Sequence, residues 1–100
     1  MTNNTTGTLT ITREGAVTII KLNRPERYNS FNREMALGLQ QALDQCAEDG
    51  TRCVVITGEG KAFSAGQDLN EVTDPNGPPM QSIVAEHYNP IITRLRDLEL

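Results

Sequence analysis

Histidine and cysteine are scarce in this chain: His87 is the single histidine, and Cys46 and Cys53 are the two cysteines. They match no metal-ligand spacing, which excludes a zinc centre, and no metal is expected. Without a secretory leader the two cysteines read as small buried hydrophobes, not as a disulfide. Positive charge is also short, with 9 Lys and Arg against 13 Asp and Glu and a net charge of -4. That excludes a nucleic-acid partner, which needs a basic face to displace counterions. No run approaches the ~18 apolar residues of a membrane span. Residues 1–7 carry neither a basic n-region nor an apolar h-region, so no signal peptide is read there. The chain reads as cytoplasmic, with no membrane partner.

What is present is a globular composition, 37% hydrophobic with five prolines and eight glycines in 100 residues, enough for one domain with a modest core. Residues 94–100 stop in an amphipathic pattern with no glycine cap. The expectation is therefore the first portion of a longer domain.

Leu9 and Ile11 alternate with threonines from Thr8, a half-buried strand, and Val17, Ile19 and Leu22 continue it after a Glu14-Gly15 turn as a hairpin. Pro25 ends the second strand. Ser30 and Asn32 are both candidate caps for a helix whose apolar face holds Met35, Leu39, Ala42, Leu43 and Cys46, and Gly50 stops it. Residues 53–57 form a continuous apolar run, expected of a strand covered on both faces. Strand, helix and strand imply a right-handed crossover and a parallel pair. Asp68 and Glu71 form a capping-box pair that starts a short helix. Residues 73–79, rich in proline, form an expected mobile loop. Ile83, His87, Ile91, Leu95 and Leu98 then share a helical face that Pro90 kinks or splits. The fold class is α/β.

Two phosphate-binding patterns fail on inspection. Gly58-Glu59-Gly60-Lys61 has Val55 where a Walker loop needs glycine and Ala62 where it needs Ser or Thr; a dinucleotide fingerprint from Gly58 meets Phe63 in place of its third glycine. Ser64 lacks the flanking glycine of a nucleophile elbow, since Ala62 stands there. His87 reads as a packing residue, and Arg24, Arg27 and Lys61, taken singly, as solvated surface charges. The stretch Ala65-Gly66-Gln67 between a strand and a helix start is different. Backbone N–H groups at such a junction lack intrahelical acceptors and can bind an anion. An ordinary turn and half of an oxyanion hole both remain open there.

Three motifs occur in order: residues 22–31 (LNRPERYNSF), 54–58 (VVITG) and 61–69 (KAFSAGQDL). Together they resemble the N-terminal third of the enoyl-CoA hydratase/isomerase (crotonase) family. Gln67 to Asn70, Asp74 to Pro78 and Tyr88-Asn89-Pro90 look most like the branch that isomerises ring epoxides in aerobic phenylacetate degradation. The resemblance implies a crotonase-like ββα superhelix, of which this chain is the N-terminal portion, assembled as trimers or pairs of trimers. It implies an acyl-CoA substrate and no cofactor beyond the CoA of that substrate.

Carried over by position, the backbone N–H of Gln67 is the first oxyanion donor, its side chain incidental. Ala65, Gly66, Asp68 and Leu69 line the acyl and pantetheine path, and Arg24 and Arg27 lie near the nucleotide end. Glu26 and Asn70 stand where many members carry lysine. A second oxyanion donor and the acidic acid/base residues are implied beyond position 100. Hydratase and isomerase therefore both stay open, as does a non-catalytic acyl-CoA-binding or assembly module.

Overall fold

The computed structural model describes residues 2–77 and 79–98. Four strands form one sheet in the order β1 (Thr2–Thr6), β2 (Leu9–Glu14), β3 (Val17–Leu22), β4 (Cys53–Gly58). The expected hairpin is present, with Leu9 opposite Leu22 and Glu14 opposite Val17, and its tight turn uses Gly15 at a φ of 59°. The expected parallel pair is also present, β3 against β4 from Val17–Cys53 to Leu22–Gly58. β1 is an addition: it pairs antiparallel with β2, Thr2 opposite Arg13 and Thr6 opposite Leu9. Its asparagines are poor strand formers, and pairing with a preformed edge overrides that preference.

Helix α1 (Arg33–Cys46) makes the crossover. Of the two candidate caps Asn32 serves, its Oδ1 accepting the Met35 N–H at 2.9 Å. Met35, Ala36, Leu39, Ala42 and Leu43 from α1 bury against Leu9, Ile20 and Leu22 of the sheet, and Ile91 closes the cluster. In β3 the inward face is Thr18, Ile20 and Leu22, so Val17 and Ile19 are only half-buried. The polar member, Thr18, shares a buried 2.7 Å hydroxyl contact with Thr51.

Two expectations need correction here. β4 is an edge strand: Val54 and Ile56 pack on the core, while Cys53 and Val55 are exposed. The apolar run therefore does not mark coverage on both faces among the described residues. Cys46 is buried as expected, but Cys53 is exposed, and both are free thiols.

After β4 come α2 (Leu69–Thr73), α3 (Met80–Ile83), a π-helical turn over Val84–Tyr88 and α4 (Asn89–Asp97). Pro90 explains the π-turn. It has no N–H for the carbonyl four residues back, that of Glu86. Gln40 of α1 supplies the missing donor, its Nε2 bonding the Glu86 carbonyl at 2.7 Å and that of His87 at 3.1 Å. Ile83, His87 and Ile91 are buried as their spacing implies; Leu95 is exposed, because the face toward α1 continues through Arg94, which pairs with Asp44 at 2.7 Å. Of the expected mobile loop, Thr73 instead ends α2, and Asp74 to Asn76 are exposed in a turn closed by the Gly77 N–H on the Asp74 carbonyl. Pro78 lies outside the described residues, as do Glu99 and Leu100 of the amphipathic end. No helix among the described residues is long and apolar enough to cross a membrane.

Candidate functional site

Two loops meet at the C-terminal end of the β3–β4 pair, where open α/β sheets place ligands. The first follows β3: a 3-10 turn over Pro25–Arg27, then Tyr28 and Asn29, both left-handed with φ of 52° and 56°. The second follows β4, from Gly58 to Asp68. Gly58 is required where they touch, since a Cβ there would fall 2.8 Å from Asn29 Nδ2 of the first loop and 2.5 Å from the Phe63 carbonyl oxygen of its own.

Asn29 joins the loops and was not found by reading the sequence. It is fully buried. Its Oδ1 accepts the Arg24 N–H at 2.7 Å, and its Nδ2 donates to the carbonyls of Glu59 and Ala62 at 2.8 and 2.7 Å. The Ser64 hydroxyl donates to its carbonyl at 2.9 Å, so Ser64 is a structural donor. The one available signal is that Asn tolerates left-handed backbone in a turn. We expect Asn29→Ala to destabilise the intact protein by about 3 kcal/mol, because it orphans several buried backbone groups. Asn29→Gly separates the causes in urea melts. It relieves the backbone and removes the same bonds, so a near-neutral glycine variant would refute the hydrogen-bonding role.

Arg24 and Asp68 lock the arrangement. The Arg24 guanidinium donates to Asp68 Oδ2 at 2.9 Å and to the Ser30 carbonyl at 2.6 Å, with both side chains mostly buried. The reading of Arg24 as a solvated charge is thus corrected: its fork is committed to Asp68 and Ser30. Arg27 and Lys61 are exposed. Asp68 also caps α2, its Oδ1 accepting the Asn70 N–H at 2.8 Å. The hydrogen bond from Arg24, above all, holds the Asp68 carboxyl below the usual carboxylate range against the opposing effect of burial, helped by the Asn70 N–H and the charges of Arg24 and Arg27. The capping box is half realised. Glu71 does not reach back to its own helix start; its Oε2 accepts the Arg33 N–H of α1 at 2.9 Å.

At the turn itself, Phe31 forms an isolated parallel bridge with Gln67. The Phe31 N–H donates to the Gly66 carbonyl at 2.6 Å, and the Asp68 N–H donates to the Phe31 carbonyl at 2.7 Å. The Gly66 carbonyl and the Gln67 N–H belong to one planar trans peptide, so they point opposite ways. The Gln67 N–H is therefore aimed away from Phe31. Of the four successive N–H groups, that of Ala65 bonds the Tyr28 carbonyl, that of Gly66 the Ser64 hydroxyl and that of Asp68 the Phe31 carbonyl. Gln67 alone of these has no acceptor among the described residues. Gly66 permits the turn, with a φ of 98° that side-chain-bearing residues rarely adopt.

A cleft of about 350 Å³ opens here, between the 26–30 and 65–70 segments. Arg27, Ala65, Gln67, Asp68 and Leu69 of the expected set line it, with Glu26 and Asn70; Arg24 and Gly66 do not. Leu69 and Tyr28 leave large apolar surfaces exposed on it.

Behind the turn lies a polar cluster that sequence reading passed over. The Tyr88 hydroxyl donates to Gln67 Oε1, and Gln67 Nε2 donates to Glu71 Oε1 at 3.2 Å. Burial, and then the Glu71 charge, raise the Tyr88 hydroxyl above its ordinary value, which keeps it a donor. His87 is buried with its Nδ1 3.7 Å from Glu71 Oε1. No group of three or more His, Cys, Asp or Glu among the described residues is arranged to hold a metal ion.

The architecture is that of the crotonase-like ββα fold. An enoyl-CoA hydratase of Mycobacterium smegmatis superposes with a TM-score of 0.83 at 28% identity, over 93% of this chain and 37% of that one. The profile of the Enoyl-CoA hydratase/isomerase family matches residues 12–100, and the chain belongs to that family. It is 47% identical over 89 residues to 1,2-epoxyphenylacetyl-CoA isomerase of Escherichia coli (strain K12), covering 85% of this chain and 34% of that protein. It is 58% identical over 57 residues to a putative enoyl-CoA hydratase of Thermus thermophilus, covering 56% of this chain and 22% of that protein. The chain thus spans about a third or less of the length of these two relatives.

Proposed function

We propose that the protein acts on acyl-CoA thioesters, stabilising a thioester enolate with the backbone N–H of Gln67 as one oxyanion donor. The observation that carries this reading is the peptide geometry: a single N–H, turned from its own fold by the Phe31 bond, in a residue lining an open cleft. As electrons shift onto the thioester oxygen, a donor already in place stabilises that oxygen without reorganising. Leu69 and Tyr28 offer apolar surface to the acyl and pantetheine parts, and Arg27 offers charge to the nucleotide phosphates, while Arg24 acts structurally through Asp68. The reaction needs no cofactor beyond the CoA of the substrate. A second oxyanion donor and the carboxylates that move protons belong to sequence beyond residue 100, in a cytoplasmic trimer or pair of trimers.

Both ring-epoxide isomerisation and 2-enoyl-CoA hydration use this enolate. The longer match, to the isomerase, favours the first; the higher local identity, to the hydratase, favours the second. Incubating the intact protein with 1,2-epoxyphenylacetyl-CoA and with crotonyl-CoA decides between them. The hundred residues alone should turn over neither. Tight CoA-ester binding by the intact protein without turnover of any ester would support a non-catalytic binding module instead.

A further inference from the structure

Gln67 is gripped on its backbone and on its side chain by separate contacts. The backbone grip is the Phe31 bridge, its N–H on the Gly66 carbonyl and its carbonyl accepting the Asp68 N–H. It borders a glycine whose side-chain position is open space, so no more distant group packs against Gly66 there. The side-chain grip has two parts, the Tyr88 hydroxyl on Oε1 and Glu71 Oε1 on Nε2. Each part is itself anchored. Tyr88 packs edge-on against the Phe31 ring, centroids 6.0 Å apart at 61°, so it braces both residues of the bridge. It is also the last residue of the π-turn that Pro90 and Gln40 sustain. Glu71 is tied through its other oxygen to the first N–H of α1.

We propose that Tyr88 and Glu71 are positioning residues: by holding the Gln67 side chain they fix the direction of the Gln67 N–H. This rests on the reading of that N–H as an oxyanion donor. It also replaces the expectation that the side chain is incidental. Small errors in aiming a donor are costly, since a displacement of about 1 Å can lose up to about a hundredfold.

The test uses the intact protein with acetoacetyl-CoA, whose enolate is followed by its ultraviolet absorbance on binding, and free CoA as a ligand without the carbonyl. Tyr88→Phe keeps the ring against Phe31 and removes only the hydroxyl. We expect Tyr88→Phe and Gln67→Ala each to weaken acetoacetyl-CoA binding about tenfold, with CoA affinity unchanged. The double variant should be no weaker than Gln67→Ala alone, because Gln67→Ala already removes the Tyr88 contact. Gln67→Leu, which fills the same space and leaves Tyr88 in place, should behave as Gln67→Ala and serves if Tyr88→Phe does not fold. Unchanged binding in Tyr88→Phe or Gln67→Leu, equal losses for CoA, or multiplying losses in the double variant would overturn the proposal. Gln67→Pro separates the two readings. If it binds the enolate as the unmodified protein does, the oxyanion assignment itself is wrong; if it alone loses the enolate, the donor stands and the positioning role falls.

Discussion

Gln67→Pro in the intact protein is expected to lower turnover of its CoA thioester by about a hundredfold to a thousandfold, the loss found for one oxyanion donor. Proline deletes the N–H together with the side-chain contacts to Tyr88 and Glu71, and Gln67→Ala is the control that removes those contacts alone. The Gly66 carbonyl keeps its bond to Phe31, and the lost N–H is on the side of the Gln67 bridge that faces away from Phe31, where a strand residue tolerates proline. The loss should fall on kcat more than on KM, because the bond strengthens as charge builds on the oxygen. Gln67→Ala retains the donor and loses the Tyr88 and Glu71 contacts, so it should lie between the proline variant and the unmodified protein. Stopped-flow turnover of both variants, with melting and CoA binding verified, checks the ordering. A proline variant as fast as the alanine variant would remove Gln67 N–H from the mechanism.

Removing Arg24 is expected to cost about 3–5 kcal/mol of folding stability, since it leaves the Asp68 carboxylate buried without its partner. The loss carries a pH signature. The folded Asp68 carboxyl titrates below its unfolded value, so the unfolded chain binds its proton first as pH falls. The stabilisation is present above the unfolded value near ~3.9 and disappears as pH drops through the lower folded one. Asp68→Asn keeps an oxygen for the Asn70 N–H and faces Arg24 with a neutral amide. Its deficit against the unmodified protein should be full near neutral pH and shrink in acid. Urea denaturation of both proteins from about pH 7 to about pH 2.5 checks it. A deficit independent of pH would show that the ion pair contributes nothing through its charge.

The contrast between Arg24 and Gln67 shows why parts of this site are legible in a linear chain and parts are not. Gln67 belongs to a local pattern, a glycine turn running into a capped helix, and backbone donors follow from such a pattern whatever surrounds it. Arg24 lies forty-four positions from Asp68, and nothing in the composition around it separates a buried guanidinium from a solvated one. The same holds for Asn29, whose side-chain amide reaches into a loop some thirty residues on. Glu71 fits a local capping box by spacing, yet one of its oxygens accepts the Arg33 N–H thirty-eight positions away, a donor that tertiary contact brings and local spacing does not show.

Sequence by itself determined the hairpin, the crossover helix with two candidate caps, the parallel strand pair, the burial of Ile83, His87 and Ile91, and the family, because short-range periodicity, turn chemistry and ordered motifs carry those features. Tertiary structure alone decided that β4 is an edge with Cys53 exposed, that β1 joins the sheet, and that Leu95 turns outward. It also decided that Pro90 is met by a π-turn and that Arg24, Asn29, Glu71 and Tyr88 hold the 65–68 turn. Each of these depends on which distant group supplies a hydrogen bond or covers a face, and that is settled only when segments far apart in the chain are brought together.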